Sequence, residues 1–278
     1  MPQRLPDWLI YLGVIGALLG AAILLRFPAA PRHDEAAGRA LAGAGGDHPT
    51  AASPFESTIT VEAPQVSRPG AGTAFSISSG GIWLTARHVV EGCARTAIVV
   101  GPGQGVAAEV RIDPRAETAV LITQGGAPAL PMAPREPLKH GMAAFHAGFP
   151  GGHPGEVASN FLRRQTLVLR GRRTRREQVL AWAETPGDEP IPRSLAGLSG
   201  APALDTEGRV IGVTIAQSRR RAEVYTTTPA SLRSALARAH VETAAGAEAA
   251  PMTGGSYSRI SNLLRRDLRI VPVVCLGS

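Results

Sequence analysis

The stretch Gly197-Leu198-Ser199-Gly200-Ala201-Pro202 decides how the rest of the chain reads. Glycine two residues before and one residue after the serine permits positive φ and lets main-chain N–H groups approach a ligand closely. A serine on such a turn has an open hydroxyl with backbone donors beside it. Acyl transfer needs both: an attacking oxygen and a place for the developing oxyanion. Asp205-Thr206-Glu207-Gly208 comes next as a turn and Val210 to Ile215 as an apolar strand. By itself the motif therefore also fits a surface turn ahead of a strand. Partner residues elsewhere in the chain decide between the two.

Two stretches offer such partners. Ile82-Trp83-Leu84-Thr85-Ala86-Arg87-His88-Val89-Val90 is an apolar strand running into a histidine. Asp113-Pro114-Arg115-Ala116-Glu117-Thr118-Ala119-Val120-Leu121-Ile122 is a turn leading to an acid at the edge of an apolar strand. Taken in order, T-A-x-H-V-V, D-P-x-x-acid-x-A-V-L and G-x-S-G-A-P resemble the three signature blocks of trypsin-like serine proteases, most of all the bacterial HtrA/Deg-type branch. The likeness extends over roughly residues 55–240. It implies an all-β chymotrypsin fold, two antiparallel six-stranded β-barrels with the active site in the cleft between them, and a short C-terminal helix. It also implies peptide-bond hydrolysis, with His88 as base, Ser199 as nucleophile and the backbone N–H groups of Gly197 and Ser199 as oxyanion hole. The segment after Ser199 is too short for the PDZ domain that many such relatives carry, so none is expected.

At the third catalytic position the family pattern has aspartate, whereas this chain has Glu117. Asp113 is a second carboxylate four residues earlier, but register with the A-V-L strand favours Glu117. The acid accepts the histidine Nδ1–H, fixes its tautomer and stabilises the imidazolium. A glutamate can do this, yet its extra methylene moves the carboxylate, and a misplacement of about 1 Å can cost on the order of a hundredfold in rate. Two readings are open: a serine endopeptidase acting through an acyl-enzyme, or a weak or inactive pseudoprotease that binds peptides. By the family's spacing the substrate-pocket floor falls on Arg193 and its wall near Gln217, which would favour acidic side chains. An α/β-hydrolase is a poorer fit, because that fold wants the order serine, acid, histidine and helices between its strands.

The 278 residues, 44% of them hydrophobic, suffice for a real core in one large or two smaller domains. Residues 1–28 hold Trp8 to Leu25, an 18-residue run without a charge, long enough for a membrane-spanning helix with Trp8, Tyr11 and Arg26 at the interfaces. The charges flanking it barely set an orientation. The resemblance implies export of the catalytic domain, hence a single-pass anchor in a bacterial inner membrane with the domain on the periplasmic side. Residues 29–54, rich in Ala, Gly and Pro, read as a flexible linker.

Residues 55–240 change to short apolar or alternating runs separated by turn signals. The runs 55–61, 73–78, 82–85, 96–100, 106–112 and 118–123 would make a first barrel, about 55–126. The runs 142–147, 156–161, 166–170, 178–184, 209–215 and 223–227 would make a second, about 135–228. Thr228 as N-cap and Pro229 at the first helical position open a helix to about His240. Residues 241–278 form a linker and a tail that regains apolar character, either an extra strand docked on a barrel or a partner-binding segment.

Cys93 and Cys275 are too few for a disulfide scaffold, but in an oxidising compartment they could pair and tie the tail to the first barrel. Neither has the spacing of a zinc site, and His140, His146 and His153 lack supporting carboxylates, so no metal and no cofactor are expected. The net charge of +7 concentrates in Arg163-Arg164, Arg170, Arg172-Arg173, Arg175-Arg176 and Arg219-Arg220-Arg221, which read as solvated loop tips. Aromatic residues for base stacking are missing nearby, so a protein or peptide is the expected partner rather than nucleic acid.

Overall fold

A computed structural model of the chain describes residues 58–62, 71–134, 137–170, 174–185, 196–238, 240–241 and 248–277. The expected anchor at Trp8 to Leu25, the linker 29–54 and the pocket residue Arg193 lie outside the described residues. Among those described, no helix is long and apolar enough to cross a membrane.

The fold is all-β and chymotrypsin-like. Its strands are β1 (Thr58–Glu62), β2 (Ala71–Ser78), β3 (Ile82–Ala86), β4 (Arg95–Gly101), β5 (Gln104–Ile112), β6 (Thr118–Ile122), β7 (Ala143–Gly148), β8 (Gly155–Arg170), β9 (Arg175–Thr185), β10 (Pro202–Leu204), β11 (Val210–Ser218), β12 (Glu223–Thr227) and β13 (Ile270–Leu276). Short helices α1 (Arg87–Val90), α2 (Pro229–Arg238) and α3 (Tyr257–Arg266) complete it.

One closed barrel runs β13-β2-β3-β6-β5-β4, six strands as expected but not the expected six. The run at 55–61 does not open it. Instead β1 pairs in parallel with the far end of β8, Thr58 opposite Thr166 through Glu62 opposite Arg170. The place between β2 and β4 is taken by β13 from the tail, antiparallel to both. The reason lies in burial. Ile270, Val271 and Val273 are each 0% exposed, and fully burying such a side chain is worth about 1.5–3 kcal/mol.

Helix α3 delivers the strand. Its Ile260 and Leu264 are buried, and Tyr257 stacks on Phe145 with ring centroids 5.3 Å apart. At the far end the sulfurs of Cys93 and Cys275 are bonded across residues whose Cα atoms lie 5.3 Å apart. The tail is therefore a wall of the barrel.

The other sheet has seven strands in the order β1-β8-β7-β10-β11-β12-β9, and a β8–β9 pairing closes six of them into a second ring. Two expected strands, 156–161 and 166–170, are one continuous strand. A register shift between Phe161 and Arg163 lets β8 bend without breaking. The ring still has six members because β10, directly after Ser199, adds a strand beyond those expected. Buried Trp83 and Trp182 each donate their indole N–H at 2.9 Å, to Thr123 Oγ1 and Thr226 Oγ1 respectively. Helix α2 begins as expected, with Ser231 N–H donating to Thr228 Oγ1 at 3.0 Å, and ends at Arg238.

Candidate active site

His88 sits in α1, the single turn into which β3 runs, and its side chain is 8% exposed. Strand β6 begins one residue after Glu117, and β3 and β6 are antiparallel neighbours with Ala86 opposite Thr118. This register brings the two residues together: Arg87 N–H donates to Glu117 O at 3.2 Å, and His88 Nδ1 lies 3.0 Å from Glu117 Oε2. Asp113 is engaged elsewhere. It accepts Arg115 N–H at 2.8 Å and the Arg238 guanidinium.

Burial alone would raise the pKa of Glu117. The hydrogen bond and charge of His88, and those of Arg175, outweigh it and hold the carboxyl below the usual range. An ionised carboxylate only accepts, so the shared proton belongs to His88 Nδ1 and leaves Nε2 as the open acceptor.

The second oxygen of Glu117 is occupied from the other ring. Arg175, at the start of β9, donates through Nη2 to Glu117 Oε1 at 2.6 Å and through Nη1 to both oxygens of Glu91 at 3.0 and 3.2 Å. Arg87 holds the same Glu91 at 2.7 Å. Glu177, two residues along β9, accepts Glu117 N–H at 2.6 Å and the Ser231 hydroxyl of α2 at 2.6 Å. Burial pushes the Glu177 carboxyl up to about 7; those two hydrogen bonds oppose the shift, and the charges of Glu117 and Asp113 add to it. Arg175 therefore corrects its reading as part of a solvated loop tip. So does Arg163, which pairs with buried Glu223 at 3.0 Å. Arg170, Arg176, Arg219, Arg220 and Arg221 are exposed.

Ser199 is half-buried on the loop before β10. One residue of the first barrel ties this loop down. Thr73 N–H donates to Ser199 O at 2.8 Å, its hydroxyl donates to Gly197 O at 2.7 Å, and the same hydroxyl accepts Phe149 N–H at 3.1 Å. Gly200 has φ +90°, and a Cβ there would lie 2.0 Å from Thr73 O and 3.0 Å from Ala86 N. The loop thus packs on the chain two residues before His88.

Gly197 has φ +100°. On its N-terminal side Ala196 O accepts Gly151 N–H at 2.5 Å, and across a planar trans peptide the Gly197 N–H points the opposite way. Neither Gly197 N–H nor Ser199 N–H has an acceptor among the described residues.

Gln217 lies near the end of β11 and donates to Glu184 Oε1 at 2.8 Å. His140 and His153 are exposed. His146 is fully buried between Thr214 Oγ1 at 2.9 Å and Ser159 Oγ at 2.8 Å, and its burial lowers the pKa to about 3. Among the described residues no group of His, Cys, Asp or Glu is placed to hold a metal. Thr73, Arg175 and Glu177 are the site residues that sequence reasoning missed. Alternation along Arg175-Arg176-Glu177 was the available signal, since it puts Arg175 and Glu177 on one face of a strand.

A closed barrel that carries a histidine–carboxylate pair and is tied through Thr73 to a loop of a second ring holding a serine between glycines belongs to the chymotrypsin-fold class of serine endopeptidases. The family model described as "Trypsin-like peptidase domain" matches residues 72–213, just over half of the chain, and the chain belongs to that family.

Solved structures share the fold. The Rv3671c protease from M. tuberculosis in its active form is 20% identical, with a TM-score of 0.50 over 74% of this chain and 99% of that one. An inactive serine-to-alanine mutant of Rv3671c from M. tuberculosis H37Rv is 23% identical, with a TM-score of 0.50 over 63% and 84%. The HtrA-type protease AlgW, solved with a decapeptide, is 20% identical with a TM-score of 0.49; the match takes in 61% of this chain and 51% of AlgW. Curated proteins yield no match.

Proposed function

We propose that the chain is a membrane-anchored serine endopeptidase of HtrA-like type, cutting peptide bonds through His88, Glu117 and Ser199. His88 Nε2 takes the Ser199 Oγ proton as the oxygen attacks the peptide carbonyl. Gly197 and Ser199 N–H receive the oxyanion, and His88 passes the proton to the leaving amine. Water, deprotonated by His88, then releases the acyl group. The observation that carries this reading is the 3.0 Å contact of His88 Nδ1 with ionised Glu117. It supports a glutamate at this position, because the longer side chain still meets the imidazole.

The anchor at Trp8 to Leu25 and a periplasmic catalytic domain belong to the same proposal. A bonded Cys93–Cys275 pair suits an oxidising compartment. Accessibility of a single added cysteine near residue 50 to a membrane-impermeant thiol reagent in intact cells tests the side. Labelling the full chain with a fluorophosphonate probe tests the chemistry. The parent is expected to label, and Ser199→Ala and His88→Ala are not. A folded parent that stays unlabelled would leave the peptide-binding pseudoprotease as the better reading.

A further inference from the structure

We propose that Arg175 is a positioning residue for the His88–Glu117 pair, delivered to it from the second ring. The proposal rests on the protease reading for its meaning in catalysis, and its geometry stands independently. A carboxylate facing an imidazole has two oxygens and rotates freely about its last bond unless both are held. Here Arg175 takes Oε1 at 2.6 Å and leaves Oε2 for His88 at 3.0 Å. The guanidinium is itself fixed, because Nη1 lies on both oxygens of Glu91, and Glu91 is held by Arg87, the neighbour of His88. The result is a closed circuit: His88, Glu117, Arg175, Glu91, Arg87, and back along the chain to His88.

The extra methylene of Glu117 acquires a purpose in this circuit, since it carries the carboxylate toward the guanidinium arriving on β9. A planar fork with fixed donor directions suits the task better than an ammonium, which supplies charge without orientation. Because β9 belongs to one ring and β6 to the other, the circuit closes only when the two are docked.

The charged groups around His88 and Glu117 are Arg87 on α1, Glu91 just after it, Asp113 in the turn before β6, and Arg175 and Glu177 on β9; Arg238 of α2 acts through Asp113. Removing the Arg175 cation favours protonated His88 and protonated Glu117 alike. Both changes move the acidic limb of activity to higher pH.

The test uses the full chain and two readouts. The first is the rate constant for fluorophosphonate labelling as a function of pH. The second is the His88 ring titration by NMR in the Ser199→Ala background, which needs no activity. Arg175→Gln is expected to slow labelling tenfold or more and to raise the His88 titration and the acidic limb by about half a pH unit or more. Arg175→Lys should restore the limb while recovering only part of the rate. Arg163→Gln, which breaks the comparable bridge to Glu223 in the same sheet, should leave limb and titration where they were. If Arg175→Gln does not fold, Glu91→Gln loosens the same guanidinium from a partly exposed site. It should slow labelling severalfold, while the limb, which here loses a nearby anion and not a cation, should not move to higher pH. An unchanged rate would refute the positioning role.

A labelled parent whose rate and limb survive Arg175→Gln would overturn the proposal and leave the protease reading standing. An unlabelled parent would count against the protease reading. The His88 titration would then decide the positioning role, a raised value supporting it and an unchanged one refuting it.

Discussion

Glu117 has one methylene more than the aspartate of the family pattern, and with it the carboxylate reaches both His88 and Arg175. Shortening it withdraws the carboxylate from Arg175 or from His88. Glu117→Asp should therefore slow fluorophosphonate labelling by roughly ten- to a hundredfold, the scale of an ångström's misplacement; an unchanged rate would show that the length is immaterial. Thr73 links the nucleophile loop to the first barrel through its hydroxyl. Thr73→Val keeps the shape but leaves Gly197 O and Phe149 N–H without that partner. A loss of about 1–3 kcal/mol in urea unfolding is expected. His146 titrates near 3 in the folded protein against 6.5 for an ordinary histidine. The unfolded chain therefore binds the extra proton between those values, so the stability is present above pH 6.5 and lost on acidification. Roughly 2–3 kcal/mol should disappear by pH 4.5, and His146→Gln should flatten that dependence in unfolding measured across pH. His88, Ser199 and Glu117 could be singled out from sequence because each stands in a short block that resembles a signature of the family. The contacts of Thr73 and Arg175 could not, because their partners lie more than fifty residues away; alternation along β9 shows only that Arg175 and Glu177 share a face, not what they meet.

At the scale of the element, β13 is the instructive strand. Pro272 argues against a central strand, since it lacks the N–H a ladder uses, and the run comes after an Ala/Gly-rich linker. Only pairing with β2 and β4 turns Ile270–Leu276 into the closing stave of a barrel. The Cys93–Cys275 bond closes a loop of 182 residues. In the chain-entropy account a loop so long gives about 5 kcal/mol of stabilisation. Cys275→Ser is expected to lower stability by about 2–5 kcal/mol, read as a fall in the denaturant midpoint, and reduction of the parent should produce a similar fall. Strand β8 shows the opposite difficulty. Polar Arg163, Arg164 and Gln165 read as a break between two strands, yet side chains facing partners such as Glu223 keep one strand continuous.

For the whole molecule, the ring that carries His88 and Glu117 joins strands from residues 71–122 to one from the far end of the chain, 270–276. Removing residues 251–278 should leave β2 and β4 as open edges, and such edges invite pairing between molecules. The truncated chain is expected to elute as aggregate in size-exclusion chromatography and to fail to label with fluorophosphonate; a monomeric, labelling truncation would show that five strands suffice. The sequence by itself determined the all-β class and the helix begun by Thr228 and Pro229, which follow from periodicity, turn residues and capping, all of which act within a few residues. Its resemblance to a protease family singled out the three residues around which the chemistry is proposed. The tertiary structure decided which strands close the first barrel, whether the two cysteines meet, and which cation holds the acid beside the histidine. Those outcomes depend on which distant segments bury the most surface and satisfy the most polar groups together, and that competition is settled only when the whole chain is folded.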